Sequence, residues 1–168
     1  MGLVANRTGL RAALESTNGS VTDFLEQLVG ERVDARAQHH RMVVARTSNQ
    51  LGDEMGEPLL ERSATLCGRV SGAPYVYAES VMATSRLPTS FCLRLESSND
   101  PIGRILDEMG IATSRTNVVE TNGLAASRAS GEIKVADSLL VRTYRIDSAQ
   151  NPLMVITEWF LKTLIPFL

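Results

Sequence analysis

The sequence lacks several features that mark whole classes of protein. It contains no apolar stretch long enough to span a membrane and no Lys/Arg cluster of the kind that binds nucleic acid. The net charge of its 168 residues is -2 at pH 7, so we expect neither a nucleic acid nor a membrane as partner. The first residues are too polar for a secretory signal, and we therefore expect a cytoplasmic protein.

Cysteine and histidine are also scarce. Cys67 and Cys92 show no CxxC or zinc spacing, which favours two buried free thiols. His39 and His40 are adjacent, and neighbours in a strand point to opposite faces, so both cannot readily chelate one ion. We therefore expect no metal site. No internal repeat or low-complexity linker divides the chain, and we expect one domain over residues 1–168.

Turn and helix-start signals divide the chain into helices and strands. Helices are predicted over 10–15, 23–29 and 87–95, and a fourth begins at Pro101 and ends at Gly110. Strands are predicted over 39–46, 59–69, 75–83, 113–121, 138–147 and 152–161, while 122–132 stays unassigned. Helices inserted between runs of hairpin-connected strands favour the α+β class, an antiparallel sheet with helices on one side.

The most apolar of these strands, 152–161, carries a carboxylate at its centre, Glu158. Because side chains alternate between faces, Glu158 shares its face with Met154, Ile156 and Phe160. Burial of a carboxylate there would cost several kcal/mol unless a partner or ligand compensates it. Glu158 is therefore either solvated at a frayed strand end or part of a pocket.

Two arginines show the same pattern. Arg62 alternates with Leu60, Ala64 and Leu66, and Arg142 alternates with Leu140, Tyr144 and Ile146. One interpretation is a buried ion pair, which says little about function. The other is a small, mostly apolar pocket in which a few polar groups bind an anionic ligand of aromatic size. The periodicity leaves both open.

Five segments, in this order and spacing, resemble those of one protein family: 78–82, 86–88, 98–103, 142–145 and 151–161. The family is that of the chorismate pyruvate-lyases, in the branch found in actinobacteria and archaea, and the likeness runs from about Ser20 to the C-terminus. The resemblance implies a six-stranded antiparallel sheet with flanking helices and a buried ligand cavity. It also implies conversion of chorismate to 4-hydroxybenzoate and pyruvate without a metal or organic cofactor.

The resemblance assigns roles to four residues. Glu158 matches the family's essential strand carboxylate, and Arg62 matches the arginine that binds a substrate carboxylate. The backbone amide of Ile102 and the backbone at Val21, each at a helix start, would line the site. The hairpin after Arg62 is longer than in the enterobacterial enzymes, which makes Arg69 the alternative. Strand alternation favours Arg62, because Arg69 would share a face with polar side chains.

The resemblance gives less guidance on Arg142. Chorismate has two carboxylates, and we hypothesise that Arg142 binds the enolpyruvyl carboxylate or else neutralises Glu158 when the pocket is empty. An alternative function is a non-catalytic pocket of the same fold, as in effector-sensing domains of transcription regulators. An interaction module without a ligand would leave Arg62, Arg142 and Glu158 unexplained. The sequence does not indicate an oligomeric state.

Overall fold

A computed structural model describes residues 2–16, 20–45, 51–52, 56–121 and 137–168. Its helices are α1 Gly2–Glu15, α2 Val21–Val29, α3 Thr89–Ser97 and α4 Ile102–Glu108. Its strands are β1 Val33–Val44, β2 Pro58–Gly68, β3 Pro74–Ala83, β4 Ser114–Thr121, β5 Ser138–Ser148 and β6 Asn151–Leu161. Two 3-10 helices, Thr84–Arg86 and Lys162–Phe167, follow β3 and β6.

The strands form an open antiparallel sheet of six strands in the order β1-β2-β3-β6-β5-β4. Strand β6, which carries Glu158, lies inside the sheet between β3 and β5. All four helices contribute to two apolar clusters together with residues of β2, β3, β5 and β6. The α+β prediction is therefore confirmed. None of the described helices is both long and apolar enough to cross a membrane.

Two element boundaries were predicted wrongly. Strand β1 begins at Val33 rather than at residue 39. It is an edge strand, and its residues beyond Ala35 are largely exposed. Without a buried face, the alternation that marks a strand is missing. Helix α1 begins at Gly2 rather than at residue 10. The unassigned stretch 122–132 lies outside the described residues.

The starts of α2 and α4 lie against each other above the sheet. Ser20 caps α2 through a reciprocal pair of contacts with Asp23. A Cβ placed on Gly103 would lie 2.7 Å from the Cβ of Ser20, so glycine is required for this close approach. The buried Arg104 bonds Glu26 of α2 and donates to the Val33 carbonyl at 3.1 Å. These contacts fix both helix starts over the strands.

A tight hairpin joins the neighbouring strands β5 and β6. Ser148 pairs with Asn151, and the two residues between them have positive φ, 47° at Ala149 and 65° at Gln150. Two positive φ values define the turn that usually takes Asn-Gly, since other residues are strained there. The register shifts by one residue between Asp147 and Ile146, and beyond this irregularity Arg142 lies directly opposite Glu158.

The strained hairpin yields a stability prediction. The double variant Ala149→Asn/Gln150→Gly should stabilise the fold by about 1–2 kcal/mol, because Asn and Gly adopt positive φ at lower cost. Thermal unfolding should show a rise of about 2–4 °C for each kcal/mol. The opposite change, Gln150→Val, should lower the melting temperature. Equal melting temperatures for all three proteins would contradict a strained turn.

Candidate active site

A cavity lies between the helix-covered face of the sheet and the starts of α2 and α4. The free volume within it is about 40 Å³, well below the roughly 300–1,000 Å³ of most small-molecule sites. Its walls are mostly apolar, with charged groups at Arg62, Arg115 and Glu158. The remaining lining residues are Ser20, Val21, Thr22, Ala35, Ala64, Leu66, Ala78, Pro101, Ile102, Gly103, Tyr144, Ile146 and Ile156.

Glu158 is buried at the centre of β6, with 3% of its surface exposed. Its Oε2 accepts a hydrogen bond from Arg142 Nε at 2.8 Å, and its Oε1 accepts one from the Tyr144 hydroxyl at 2.7 Å. Ala78 lies opposite Glu158 on the other neighbouring strand, β3, where its small side chain leaves room. The strand is not frayed here; the carboxylate is buried with two donors.

Arg62 is the second buried charge, with 5% of its surface exposed. In the described part of the chain, neither Nε nor Nη2 of its guanidinium has a hydrogen-bond partner. Burial lowers the pKa of Arg62, since desolvation disfavours the charged form. Unsatisfied buried donors are costly, and buried charges are normally paired. A guanidinium in this state is suited to bind an anion.

Val21 and Ile102 line the cavity from its helical side. Each is the first residue of its helix, α2 and α4 respectively. The first N–H groups of a helix have no acceptor within the helix, so they are available to an acceptor in the cavity. The structure thus brings Arg62, Glu158, Val21 and Ile102 to one cavity.

The other two sequence candidates lie elsewhere. Arg142 does not belong to the cavity lining; its Cζ lies 4.9 Å from the Tyr144 ring centre and 5.5 Å from that of Phe160. Its ion pair with Glu158 corresponds to the second role hypothesised for it. Arg69 lies just beyond β2 and is half exposed, where Nη2 and Nε donate to Asp34 at 2.7–3.2 Å. Of the two alternatives, Arg62 is therefore the arginine in the cavity.

Sequence reasoning gave no role to two further cavity residues, Tyr144 and Arg115. Tyr144 is buried, and burial and the neighbouring Glu158 raise its pKa well above the ordinary value. Its position two residues after Arg142 on the same face was a usable signal. Arg115 lies on the edge strand β4 with its Cζ 5.9 Å from the Tyr144 ring centre. Strand pairing brings it to the cavity, and no local pattern indicates that.

A larger groove, with about 500 Å³ of free volume, lies on the opposite face of the sheet. Its lining also includes Arg62, and two of its carboxylates are hydrogen-bonded: Arg41 donates to Glu61 at 2.8 Å, and the Tyr77 hydroxyl donates to Glu79 at 3.1 Å. The smaller cavity is favoured as the functional site because it combines Arg62 with the buried Glu158. Within the described ranges, no three His, Cys, Asp or Glu side chains are arranged to hold a metal ion.

Solved structures with the same fold include PhnF from Mycobacterium smegmatis, with a TM-score of 0.59 and 16% identity over 88% of this chain and 66% of that chain. The ligand-binding domain of a GntR-family transcriptional regulator from Bordetella bronchiseptica has a TM-score of 0.52 and 17% identity, over 78% of this chain and 83% of that one. At these identities the likeness establishes the fold alone. The molecule is thus an α+β protein with the chorismate lyase-like fold, which ligand-binding domains of regulators share.

Sequence comparison is more specific. Residues 16–168 match the family described as Chorismate pyruvate-lyase Rv2949c-like, and the chain belongs to that family. The chorismate pyruvate-lyase of Mycobacterium tuberculosis (strain CDC 1551 / Oshkosh) is 31% identical over 158 residues, which cover 89% of this chain and 78% of the relative. That of Mycobacterium leprae (strain TN) is 28% identical over 153 residues, covering 89% and 73%.

The buried guanidinium leads to a prediction about stability. Arg62→Met should stabilise the ligand-free protein by about 1–3 kcal/mol, because it removes unsatisfied buried donors and keeps an apolar side chain in their place. Urea unfolding measures this difference. Arg41→Met makes the same charge change at the exposed Arg41–Glu61 pair and should have little effect. A loss of stability in Arg62→Met would show that the guanidinium is compensated in the ligand-free protein.

Proposed function

We propose that this protein is a chorismate pyruvate-lyase, which eliminates pyruvate from chorismate and releases 4-hydroxybenzoate. The observation that carries the proposal is the combination in one cavity of a buried, unsatisfied guanidinium, Arg62, and a buried carboxylate, Glu158. Family membership and the mycobacterial relatives support the same reaction.

Arg62 would bind the ring carboxylate of chorismate. A guanidinium offers two parallel N–H donors that match a carboxylate, and Nε and Nη2 are the two atoms that have no partner in the part of the chain that the structure describes. The Ile102 amide would add a third donor, with the Val21 backbone closing the cavity beside it. The ligand's charge would then satisfy donors that are costly to bury in the free protein.

The proposed reaction requires few reactive groups from the protein. The C3–O bond breaks and its electron pair leaves with the enolpyruvyl group, the C4–H bond breaks, and the ring becomes aromatic. The departing group gains a proton and becomes pyruvate. Since aromatisation supplies the driving force, the protein has to hold the reactive conformer in a dry site, which can contribute up to roughly 7–11 kcal/mol. This scheme needs neither a metal nor an organic cofactor.

Glu158 would orient the substrate by accepting a hydrogen bond from its 4-hydroxyl group. The carboxylate lies opposite Ala78 on the floor of the cavity, and Arg142 and Tyr144 fix its two oxygens. Each carboxylate oxygen has two acceptor sites, so a further donor can be accommodated. Glu158 is therefore suited to hold the hydroxyl that the product keeps.

The second carboxylate of chorismate needs another cation. Arg142 remains in our proposal as a site residue that neutralises Glu158, because its Nε is engaged there. Arg115 lines the cavity and would bind the enolpyruvyl carboxylate. The dianion would thus extend from the buried Arg62 to the exposed Arg115.

A second candidate function has support from the fold. The Bordetella bronchiseptica neighbour is a ligand-binding domain of a transcriptional regulator. A sensor of this kind would bind an aromatic acid at Arg62 and release it unchanged. Incubation of the purified protein with chorismate, followed by assays for pyruvate and 4-hydroxybenzoate, separates the two functions. Binding of 4-hydroxybenzoate without any pyruvate release would favour the sensor.

Substitutions at the two charged residues test their roles. Glu158→Gln should lower kcat roughly 100-fold, since loss of substrate orientation has costs of that order. Arg62→Lys should weaken chorismate binding by about 1.5–3 kcal/mol and so raise KM, because the paired donors are lost. Glu79→Gln is the matched control, a carboxylate on the opposite face of the neighbouring strand that also accepts from a tyrosine. Wild-type turnover in Glu158→Gln would refute the role of Glu158.

Substrate and product affinities distinguish the arginines, because 4-hydroxybenzoate lacks the enolpyruvyl carboxylate. Arg115→Ala should weaken chorismate binding about tenfold, equivalent to about 1.4 kcal/mol, and leave the inhibition constant of 4-hydroxybenzoate unchanged. Arg142→Ala should lower kcat and change neither affinity strongly. If Arg142→Ala instead weakens only chorismate binding, then Arg142 binds the second carboxylate and Arg115 does not.

A further inference from the structure

We infer that Tyr144 is a positioning residue whose hydroxyl fixes the carboxylate of Glu158 in its working orientation. This inference rests on the proposed lyase function and adds a residue to it. Tyr144 is the cavity-lining side chain that bonds Glu158, whereas Arg142 bonds the same carboxylate from outside the lining. Tyr144 therefore holds Oε1 from within the cavity lining.

The hydroxyl of Tyr144 has a defined direction. A phenol carries one proton, and the 2.7 Å contact with an acceptor carboxylate commits that proton to Oε1. Two guanidinium groups lie near the ring, with Arg142 Cζ 4.9 Å and Arg115 Cζ 5.9 Å from its centre. Tyr144 belongs to the same apolar cluster as Ile146 and Ile156. The donor is thus held rigidly before substrate enters.

Two donors on two different oxygens prevent rotation of the carboxylate. With Arg142 alone, Glu158 would keep one bond at Oε2 and could turn about its terminal torsion, which has a broad and shallow profile. The oxygen that accepts the substrate's 4-hydroxyl would then have no fixed position. Since small misplacements reduce rates strongly, the hydroxyl of Tyr144 should act on kcat through Glu158.

The experiment is Tyr144→Phe in the full-length chain, which removes one oxygen and keeps the ring and its packing. We expect kcat to fall at least tenfold, while KM for chorismate and the inhibition constant of 4-hydroxybenzoate stay within twofold. The matched control is Tyr77→Phe, because Tyr77 is a buried tyrosine on the opposite face whose hydroxyl also donates to a carboxylate, Glu79. It should retain wild-type kinetics.

A second measurement separates positioning from a structural role. In the Glu158→Gln background, Tyr144→Phe should cause much less further loss of rate, because the carboxylate through which Tyr144 acts is gone. An equal tenfold loss in both backgrounds would overturn the inference, as would wild-type kcat in Tyr144→Phe. Pyruvate release by the wild-type protein is measured first: its absence rejects the lyase proposal, whereas normal turnover in Tyr144→Phe rejects only the role of Tyr144.

Discussion

The cross-strand bond between Glu158 and Arg142 is the interaction on which the arrangement of the site depends. It exists because β5 and β6 pair in a register that puts the two residues opposite each other. A slip by one residue would move every side chain of β6 to the other face. The tight turn at Ala149 and Gln150 belongs to the same hairpin. Both residues have positive φ values there, a conformation that is unfavourable for residues other than glycine.

The buried charged residues on the helix-covered face of the sheet differ in how many hydrogen-bond partners they have. Glu158 accepts from two donors, whereas Arg62, which lies two strands away, has two donor atoms without a partner among the described residues. A protein selected only for stability would pair the arginine or replace it with an apolar side chain. Unsatisfied buried groups are a recurrent feature of functional sites, where a ligand supplies the missing partner.

The shared fold and the family membership answer different questions. The solved structures share the fold of this chain, and at 16–17% identity they establish nothing beyond it. In our proposal, the two candidate functions make different demands on the side chains of the cavity. A sensor would need only Arg62 to hold an anion, whereas an elimination would also need a group such as Glu158 that fixes the reacting part of the substrate.

The order of helices and hairpin-connected strands was sufficient to predict the α+β class. Strand alternation was sufficient to place Arg62, Arg142 and Glu158 on apolar faces, because side-chain direction in a strand has a strict period of two. It did not determine the extent of β1, whose exposed edge carries no such pattern. Nor did it determine which charges meet: Arg142 pairs with Glu158, Arg62 has two atoms unpartnered within the described ranges, and Arg115 reaches the cavity from an edge strand. Those outcomes depend on register and strand order, which are set by contacts between residues far apart in the chain. The sequence thus determined which residues share a face, and the tertiary structure decided which of them touch.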